Sequence, residues 1–163
     1  MFLKYSLLFL ILILFGCDNK MPSSAEQLNK EIHTEIGVLN KLISLPTEPL
    51  SVKWDIEESK QSGNGSIRAL LEFSKQDKQS ILNKSSGFDN KSNDRIDEVF
   101  FDTWLPAEAK DGIEVKKMNG VNEMVGVMAL QPNLFTQTKL SPYVNGSITP
   151  LAGGFILVSL YSM

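Results

Sequence analysis

Alternating hydrophobic and polar residues predict two neighbouring β-strands. The first segment spans residues 50–57, and its apolar positions are Leu50, Val52, Trp54 and Ile56. The second spans residues 66–73, with apolar positions Ile67, Ala69, Leu71 and Phe73. Such alternation is typical of a strand with one buried face. Asn64-Gly65 separates the two, and Asn-Gly favours a two-residue hairpin turn because both positions tolerate positive φ. This turn predicts that Ile56 lies opposite Phe73, with both apolar sets on one face.

A second Asn-Gly pair, Asn119-Gly120, separates two further apolar segments. A two-residue turn at this pair places Lys116 opposite Glu123 and Val115 opposite Met124. Charge then pairs with opposite charge and apolar with apolar, which stabilises a sheet by about 0.2–1 kcal/mol per pair. The pattern therefore predicts a second hairpin.

The third Asn-Gly pair, Asn145-Gly146, predicts a third turn of the same kind. Near the end of the chain, the segment 155–160 (FILVSL) is apolar on both faces, which indicates a central strand. Removal of this segment is therefore expected to destroy the fold.

An amphipathic helix is predicted over residues 24–45. Ser23 and Ser24 begin overlapping capping boxes, and Pro46 ends the segment. Between these signals, apolar residues recur at spacings of three and four, at Leu28, Ile32, Ile36, Leu39 and Ile43. This stripe is expected to pack on its own domain, although a partner-binding helix has the same pattern.

Two short helices are predicted in the middle of the chain. Ser74 and Asp77 have the spacing of an N-terminal cap, and the helix that they begin is expected to end near Ser86. A second helix is expected from Ile96 until Pro106 stops it. Helices inserted among hairpins predict an α+β fold, with an antiparallel sheet of about five or six strands built from the Asn-Gly hairpins.

The first residues have the character of a signal peptide. Residues 1–6 carry one positive charge, Lys4, and residues 7–15 (LLFLILILF) are entirely apolar. This stretch is much shorter than the roughly 20 apolar residues that span a bilayer as a helix. It ends in Leu14-Phe15-Gly16-Cys17, which contains the only cysteine of the chain.

This ending resembles the lipobox of bacterial lipoproteins, although Phe15 is larger than the residue that the family prefers. The resemblance covers about eighteen residues. It implies that residues 1–16 are a cleaved signal peptide, that cleavage falls between Gly16 and Cys17, and that Cys17 carries a diacylglycerol and often an N-acyl chain such as palmitate. Residues 17–23 would then be the lipidated N-terminus and a short tether, followed by one globular domain over residues 24–163.

The lipoprotein resemblance also implies a location and a first partner. Lipid chains on Cys17 would hold the protein on a membrane of the bacterial cell envelope, at its periplasmic face. Asp18 resembles the inner-membrane retention signal of enteric lipoproteins. Residues 18–22 extend over about 15–20 Å at most, so the domain is expected close to that membrane.

Composition and charge narrow the classes of function. A net charge of −3 and an isoelectric point near 5.2 argue against nucleic acid as a partner. Acylation of the lone cysteine would remove any disulfide, cysteine nucleophile or cysteine-ligated zinc. His33 is the only histidine, it is expected to be solvated on the predicted helix, and no Gly-x-Ser-x-Gly motif accompanies it. No metal or cofactor is therefore expected.

Two groups of residues on or directly before the helix predicted from Ile96 are candidates for function. Asp94, Glu98 and Asp102 recur every four residues, so a hydrolase could use them as paired carboxylates, although solvated surface acids have the same spacing. Phe101 and Leu105 lie off the apolar stripe of the helix and are also four apart. Either another layer of the domain covers them, or they form with Asp102 an exposed surface for a partner.

Two hypotheses of function follow from these patterns. The first is a non-enzymatic binding or inhibitory module at the membrane face, which acts on an envelope protein or neutralises an incoming toxin as immunity-type lipoproteins do. The alternative is a cell-envelope hydrolase that uses the carboxylates near Asp94–Asp102. The first is favoured, because no complete set of catalytic residues is found in the sequence.

Overall fold

The computed structural model describes residues 32–58, 64–88, 93–138 and 141–163. The predicted signal peptide, the cleavage site at Gly16 and Cys17, the tether and the first part of the predicted N-terminal helix lie outside these ranges. The described residues form an α+β fold with seven strands in two antiparallel sheets.

Sheet A has four strands in the order β1-β2-β7-β6. Their bounds are β1 Ser51–Glu58, β2 Gly65–Glu72, β6 Asn145–Pro150 and β7 Phe155–Tyr161. Sheet B has three strands in the order β3-β5-β4. Their bounds are β3 Asn93–Asp97, β4 Glu114–Met118 and β5 Val121–Met128. Four short helices complete the described elements: α1 Leu39–Leu42, α2 Lys75–Lys84, α3 Glu98–Trp104 and α4 Ala107–Lys110.

The first hydrophobic core lies on one face of sheet A. It contains Val52 and Trp54 of β1 and Ile67, Ala69 and Leu71 of β2, which alternate as the sequence predicts, together with Ile156, Val158 and Leu160 of β7. Leu50 was predicted to belong to the same buried face, but it precedes β1 and is 69% exposed. Residues from α1, α2 and the segment after Leu130 cover this face, among them Leu39, Ile81 and Phe135.

The second core lies between the opposite face of sheet A and sheet B. Leu70 of β2 and Leu157 of β7 meet Met124 of β5 there, and α3 contributes Phe100 and Trp104. This core occupies only part of that face of sheet A, because the neighbouring positions along the strands carry polar side chains.

Each outer strand of sheet A is paired at one point by a segment that is not itself a strand. His33 exchanges two backbone hydrogen bonds with Trp54 of β1, both 2.9 Å long. Leu130 does the same with Ile148 of β6, at 2.8 and 2.9 Å. Both edges of the sheet are therefore partly occupied by the chain itself.

The first hairpin has a different register from the predicted one. Ile56 lies opposite Ile67, not Phe73, and residues 59–64 connect β1 to β2 instead of a two-residue turn at Asn64-Gly65. The two registers differ by an even number of residues, so each side chain keeps its face. The prediction of a shared apolar face therefore holds although the turn was wrong.

The second hairpin has the predicted register. Val115 lies opposite Met124 and Lys116 opposite Glu123. Asn119 and Gly120 connect the strands with φ values of 48° and 81°, as a two-residue turn of this kind requires.

The third Asn-Gly pair does not form a turn, contrary to prediction. Asn145 and Gly146 are the first residues of β6, where they lie opposite Tyr161 and Leu160 of β7. Strand β7 lies between β2 and β6, so the prediction of an interior strand near the chain end is confirmed. The strands form two sheets of four and three, not one sheet of five or six.

The helix predicted over 24–45 is not confirmed. Only Leu39–Leu42 is helical among its described residues, and the chain from Ile32 to Val38 is not, because His33 pairs with the edge of β1 instead. The mid-chain helices are present: Ser74 caps α2 by accepting a hydrogen bond from the Asp77 amide at 3.1 Å. The second begins later than predicted, because Ile96 belongs to β3 and Asp97 caps α3.

Candidate functional site

A row of polar side chains crosses sheet A on the face that carries the second core. Arg68 of β2 lies opposite Ser159 of β7, and Ser159 lies opposite Ser147 of β6. Directly opposed residues of antiparallel strands place their Cβ atoms about 4.5–5.5 Å apart on one face. The three side chains therefore lie next to one another and are all half-buried.

Two residues further along the strands, Tyr161 of β7 and Asn145 of β6 are opposed on the same face. The Tyr161 side chain is 47% exposed although β7 is an interior strand, so this end of the face is open to solvent. We call the five residues Arg68, Asn145, Ser147, Ser159 and Tyr161 the polar patch.

The hydrogen-bonding groups of the polar patch are available. Within the described ranges, no side-chain hydrogen bond engages Asn145, Ser147 or Ser159. Each hydroxyl both donates and accepts a hydrogen bond, and the amide offers two donors and a carbonyl. The patch therefore presents several unused donors and acceptors at the surface.

Arg68 is held in place by an aromatic ring. Its guanidinium carbon lies 4.6 Å from the centroid of the Phe100 ring in α3. Asp55 of β1 is the residue directly opposite Arg68, is only 5% exposed and has an interaction of its own. Arg68, the only charged residue of the polar patch, therefore lies next to the carboxylate of Asp55.

A second carboxylate borders the patch. Asp94 of β3 accepts a hydrogen bond from the hydroxyl of Thr149, which lies two residues from Ser147 on the same face of β6. The other Asp94 oxygen accepts a hydrogen bond from the Arg95 amide at 2.9 Å. Asp94 thereby connects sheet B to sheet A beside the second core.

The three candidate carboxylates do not all lie on one helix. Asp94 is in β3 and bonds to Thr149, so it does not share a helix face with the others. Glu98 accepts a hydrogen bond from Lys117 Nζ at 2.5 Å, and this contact raises the pKa of Lys117. Asp102 is exposed on α3. The predicted alignment of the three carboxylates on one helix face is therefore not formed.

The proposed partner surface on α3 is largely covered. Leu105 is only 3% exposed, and Phe101 packs partly against the second core, with Lys110 Nζ 5.0 Å from its ring centroid. Of the three residues, only Asp102 is exposed. Of the two alternatives for Phe101 and Leu105, the structure favours a covered pair.

His33 is not the solvated helical residue that the sequence predicts. Its ring stacks on Trp54 with centroids 4.3 Å apart and an interplanar angle of 30°. The Trp54 indole also donates a hydrogen bond to the Glu35 carbonyl at 2.8 Å. These contacts attach the segment before α1 to the edge of sheet A and indicate a structural role for His33.

Neither a metal-binding cluster nor a membrane-spanning helix is found in the described part of the chain. No group of three or more His, Cys, Asp or Glu residues there is arranged to hold a metal ion. None of its helices is both long and apolar enough to cross a membrane.

Comparison with models of protein families, with curated proteins and with solved structures finds no match for this chain.

Sequence reasoning missed the polar patch, because the polar positions of an alternating strand are expected to face water. Arg68 is one of the polar positions between the alternating apolar residues of β2, and Ser159 is a polar position of β7. They lie side by side only because β7 is the neighbour of β2 in the order β2-β7-β6. One signal was present in the sequence: Ser159 interrupts the otherwise apolar segment 155–160, and Tyr161 follows it directly.

Proposed function

We propose that this protein is a lipid-anchored, non-enzymatic binding module of the bacterial cell envelope, and that the polar patch is its binding surface. The observation that carries the binding role is the open polar end of sheet A, where Tyr161 is 47% exposed beside unused hydroxyl and amide groups. Binding sites typically place a few convergent polar groups next to an aromatic side chain.

The anchor is supported by the lipobox-like segment that ends in Cys17. Two or three acyl chains on this cysteine would hold the protein on a membrane, because each buried methylene contributes about 0.8 kcal/mol. From Cys17 to Ile32, the first described residue, a fully extended chain spans about 50 Å at most. This distance is larger than the about 15–20 Å of the predicted tether alone. It would still keep the domain close to the membrane that holds Cys17.

Metabolic labelling tests the anchor. Wild-type protein expressed in a bacterial host with labelled palmitate is expected to carry the label and to sediment with membranes. The Cys17→Ala variant removes the acylated sulfur, so it is expected to lose both properties. Label retained by Cys17→Ala would refute the anchor.

Site-specific photo-crosslinking tests the binding surface. A photoreactive phenylalanine analogue replaces Tyr161 in one version of the anchored protein and Phe88 in another. Both side chains are exposed, at 47% and 39%, but Phe88 follows α2 and lies outside the polar patch. A specific adduct is expected from position 161 and not from position 88.

The identity of the adduct specifies the function further. An envelope component as the partner supports a binding module, and an incoming toxin supports the inhibitory, immunity-type form. Equal adducts at both positions, or none at position 161 in a folded protein, would refute the polar patch as the binding surface.

A further inference from the structure

The chemistry of the polar patch indicates the class of ligand that it binds. Four of its five residues carry groups that are neutral at physiological pH: two hydroxyls, one amide and one phenol. Such groups recognise hydroxyl and amide groups on a ligand by hydrogen bonding in both directions.

Charge argues against a small anion as the ligand. Arg68 is the only cation of the patch, and Asp55 lies directly opposite it on β1. Asp94, which is bonded to Thr149, borders the patch on its other side. An anion near Arg68 would therefore lie close to the Asp55 carboxylate, whereas a neutral ligand would not be repelled.

The position of Tyr161 adds a flat apolar surface next to these polar groups. It lies two residues from Ser159 on the same face of β7, which corresponds to about 6.5 Å along the strand. A tyrosine ring provides rigid contact area at a low entropic cost, because its side chain has few rotatable bonds. A ring of carbon and oxygen atoms with an apolar face and a polar rim fits this combination.

The partly occupied edges of sheet A are less suited to binding an extended peptide. Peptides that bind to sheets usually add a strand at an open edge, where backbone groups are free. In sheet A, His33 pairs with one residue of β1 and Leu130 with one residue of β6, each through two backbone hydrogen bonds. A ligand of sheet A is therefore expected to contact side chains on the face.

We propose that the polar patch binds a saccharide of at least two sugar units. One sugar ring stacks on Tyr161, and its hydroxyl or acetamido groups form hydrogen bonds with Asn145, Ser147, Ser159 and Arg68. The row from β2 through β7 to β6 extends over about 10 Å, since neighbouring strands are about 4.8 Å apart, and this is the length of a disaccharide. This inference rests on the proposed binding function and specifies its ligand.

Saturation-transfer difference NMR tests the proposal on the full-length mature protein in detergent micelles. The probes are chitotetraose, maltotetraose, the uncharged peptide acetyl-tetraalanine amide and inorganic phosphate, with phosphate followed by its own phosphorus resonance. We expect saturation transfer to the ring protons of at least one of the two saccharides, and weaker or no signals from the peptide. The phosphorus resonance of phosphate is expected to stay unchanged when the protein is added.

Matched variants locate the binding site. Tyr161→Ala is expected to weaken saccharide binding at least tenfold, whereas Tyr161→Phe retains the ring and is expected to weaken it less than threefold. Phe88→Ala removes an exposed aromatic ring outside the patch, so binding is expected to be unchanged. Ser147→Ala is a second patch variant, expected to weaken binding several-fold, and circular dichroism checks that each variant is folded.

The possible results distinguish this inference from the proposed function. If neither saccharide binds, or if Ser147→Ala and Tyr161→Ala bind as wild type, the saccharide inference is overturned. If at the same time the photoreactive residue at position 161 captures a protein, the binding function stands with a different ligand. Tighter binding of phosphate or of the peptide than of both saccharides would also overturn the inference.

Discussion

Asn122 is a buried amide in the central strand of sheet B, and it is only 1% exposed. It lies between Ile96 on β3 and Lys117 on β4, on the same face as Met124 of the second core. Among the described residues, neither its amide nitrogen nor its side-chain oxygen has a hydrogen-bond partner. Leaving a buried polar group unpaired costs about 1–3 kcal/mol. The unpaired amide is therefore expected to lower the stability of the domain.

Replacement of this amide by an apolar side chain of similar size is expected to stabilise the protein. Asn122→Leu removes the unpaired groups and should raise the free energy of unfolding by about 1–3 kcal/mol in urea denaturation. Asn83→Leu is the control, because Asn83 is exposed on α2, and a change of at most about 0.5 kcal/mol is expected there. Destabilisation by Asn122→Leu would contradict the unpaired state of this amide.

At the scale of elements, the three Asn-Gly pairs show what local sequence predicts and where it fails. Asn119-Gly120 forms the predicted turn, and cross-strand pairing of Lys116 with Glu123 supports the same register. Asn64-Gly65 does not form a two-residue turn, because β1 ends at Glu58 and Gly65 is already the first residue of β2. Asn145-Gly146 lies at the start of strand β6. A turn dipeptide indicates that positive φ is tolerated at a position; long-range pairing decides whether the chain turns there.

Gly146 is required for a reason other than a turn. Its φ is 137°, and an added Cβ atom would lie 2.0 Å from the Ser159 carbonyl oxygen of β7. Gly146→Ala is therefore expected to lower the free energy of unfolding by at least about 2 kcal/mol. Gly87→Ala is the matched control, because nothing lies within 4 Å of its added Cβ and its φ is not in the positive range. Equal stability of the two variants in urea denaturation would contradict the close approach of β6 to β7.

At the scale of the whole molecule, the sequence predicted the class of fold and the interior position of β7, but not the division into two sheets. The alternation of β1 and β2 assigns residues to faces, which a register error of six residues leaves unchanged. It contains no information on which strand becomes the neighbour of β2. That neighbour is β7, more than 80 residues later in the chain, and the polar patch depends on this pairing. The candidate site was for this reason not predictable from local patterns.

The interior position of β7 predicts a strong effect of truncation. Deletion of residues 155–163 removes the strand that joins β2 to β6 and exposes both cores, so the protein is expected to be unfolded by circular dichroism. Deletion of Met163 alone is the control, because this residue is 86% exposed, and its melting temperature should stay within about 2 °C of the full chain. A cooperative melting transition of the 1–154 protein would show that sheet A does not depend on β7.

The pairing of His33 and Leu130 with the outer strands of sheet A has a further consequence for solubility. Open strand edges of one molecule pair with those of another, which leads to aggregation or fibres. Molecules held on one membrane, as we propose for this protein, are concentrated in two dimensions and meet one another often. Each outer strand of sheet A is already paired at one residue, which hinders edge-to-edge pairing of sheet A between neighbouring molecules without adding a full strand.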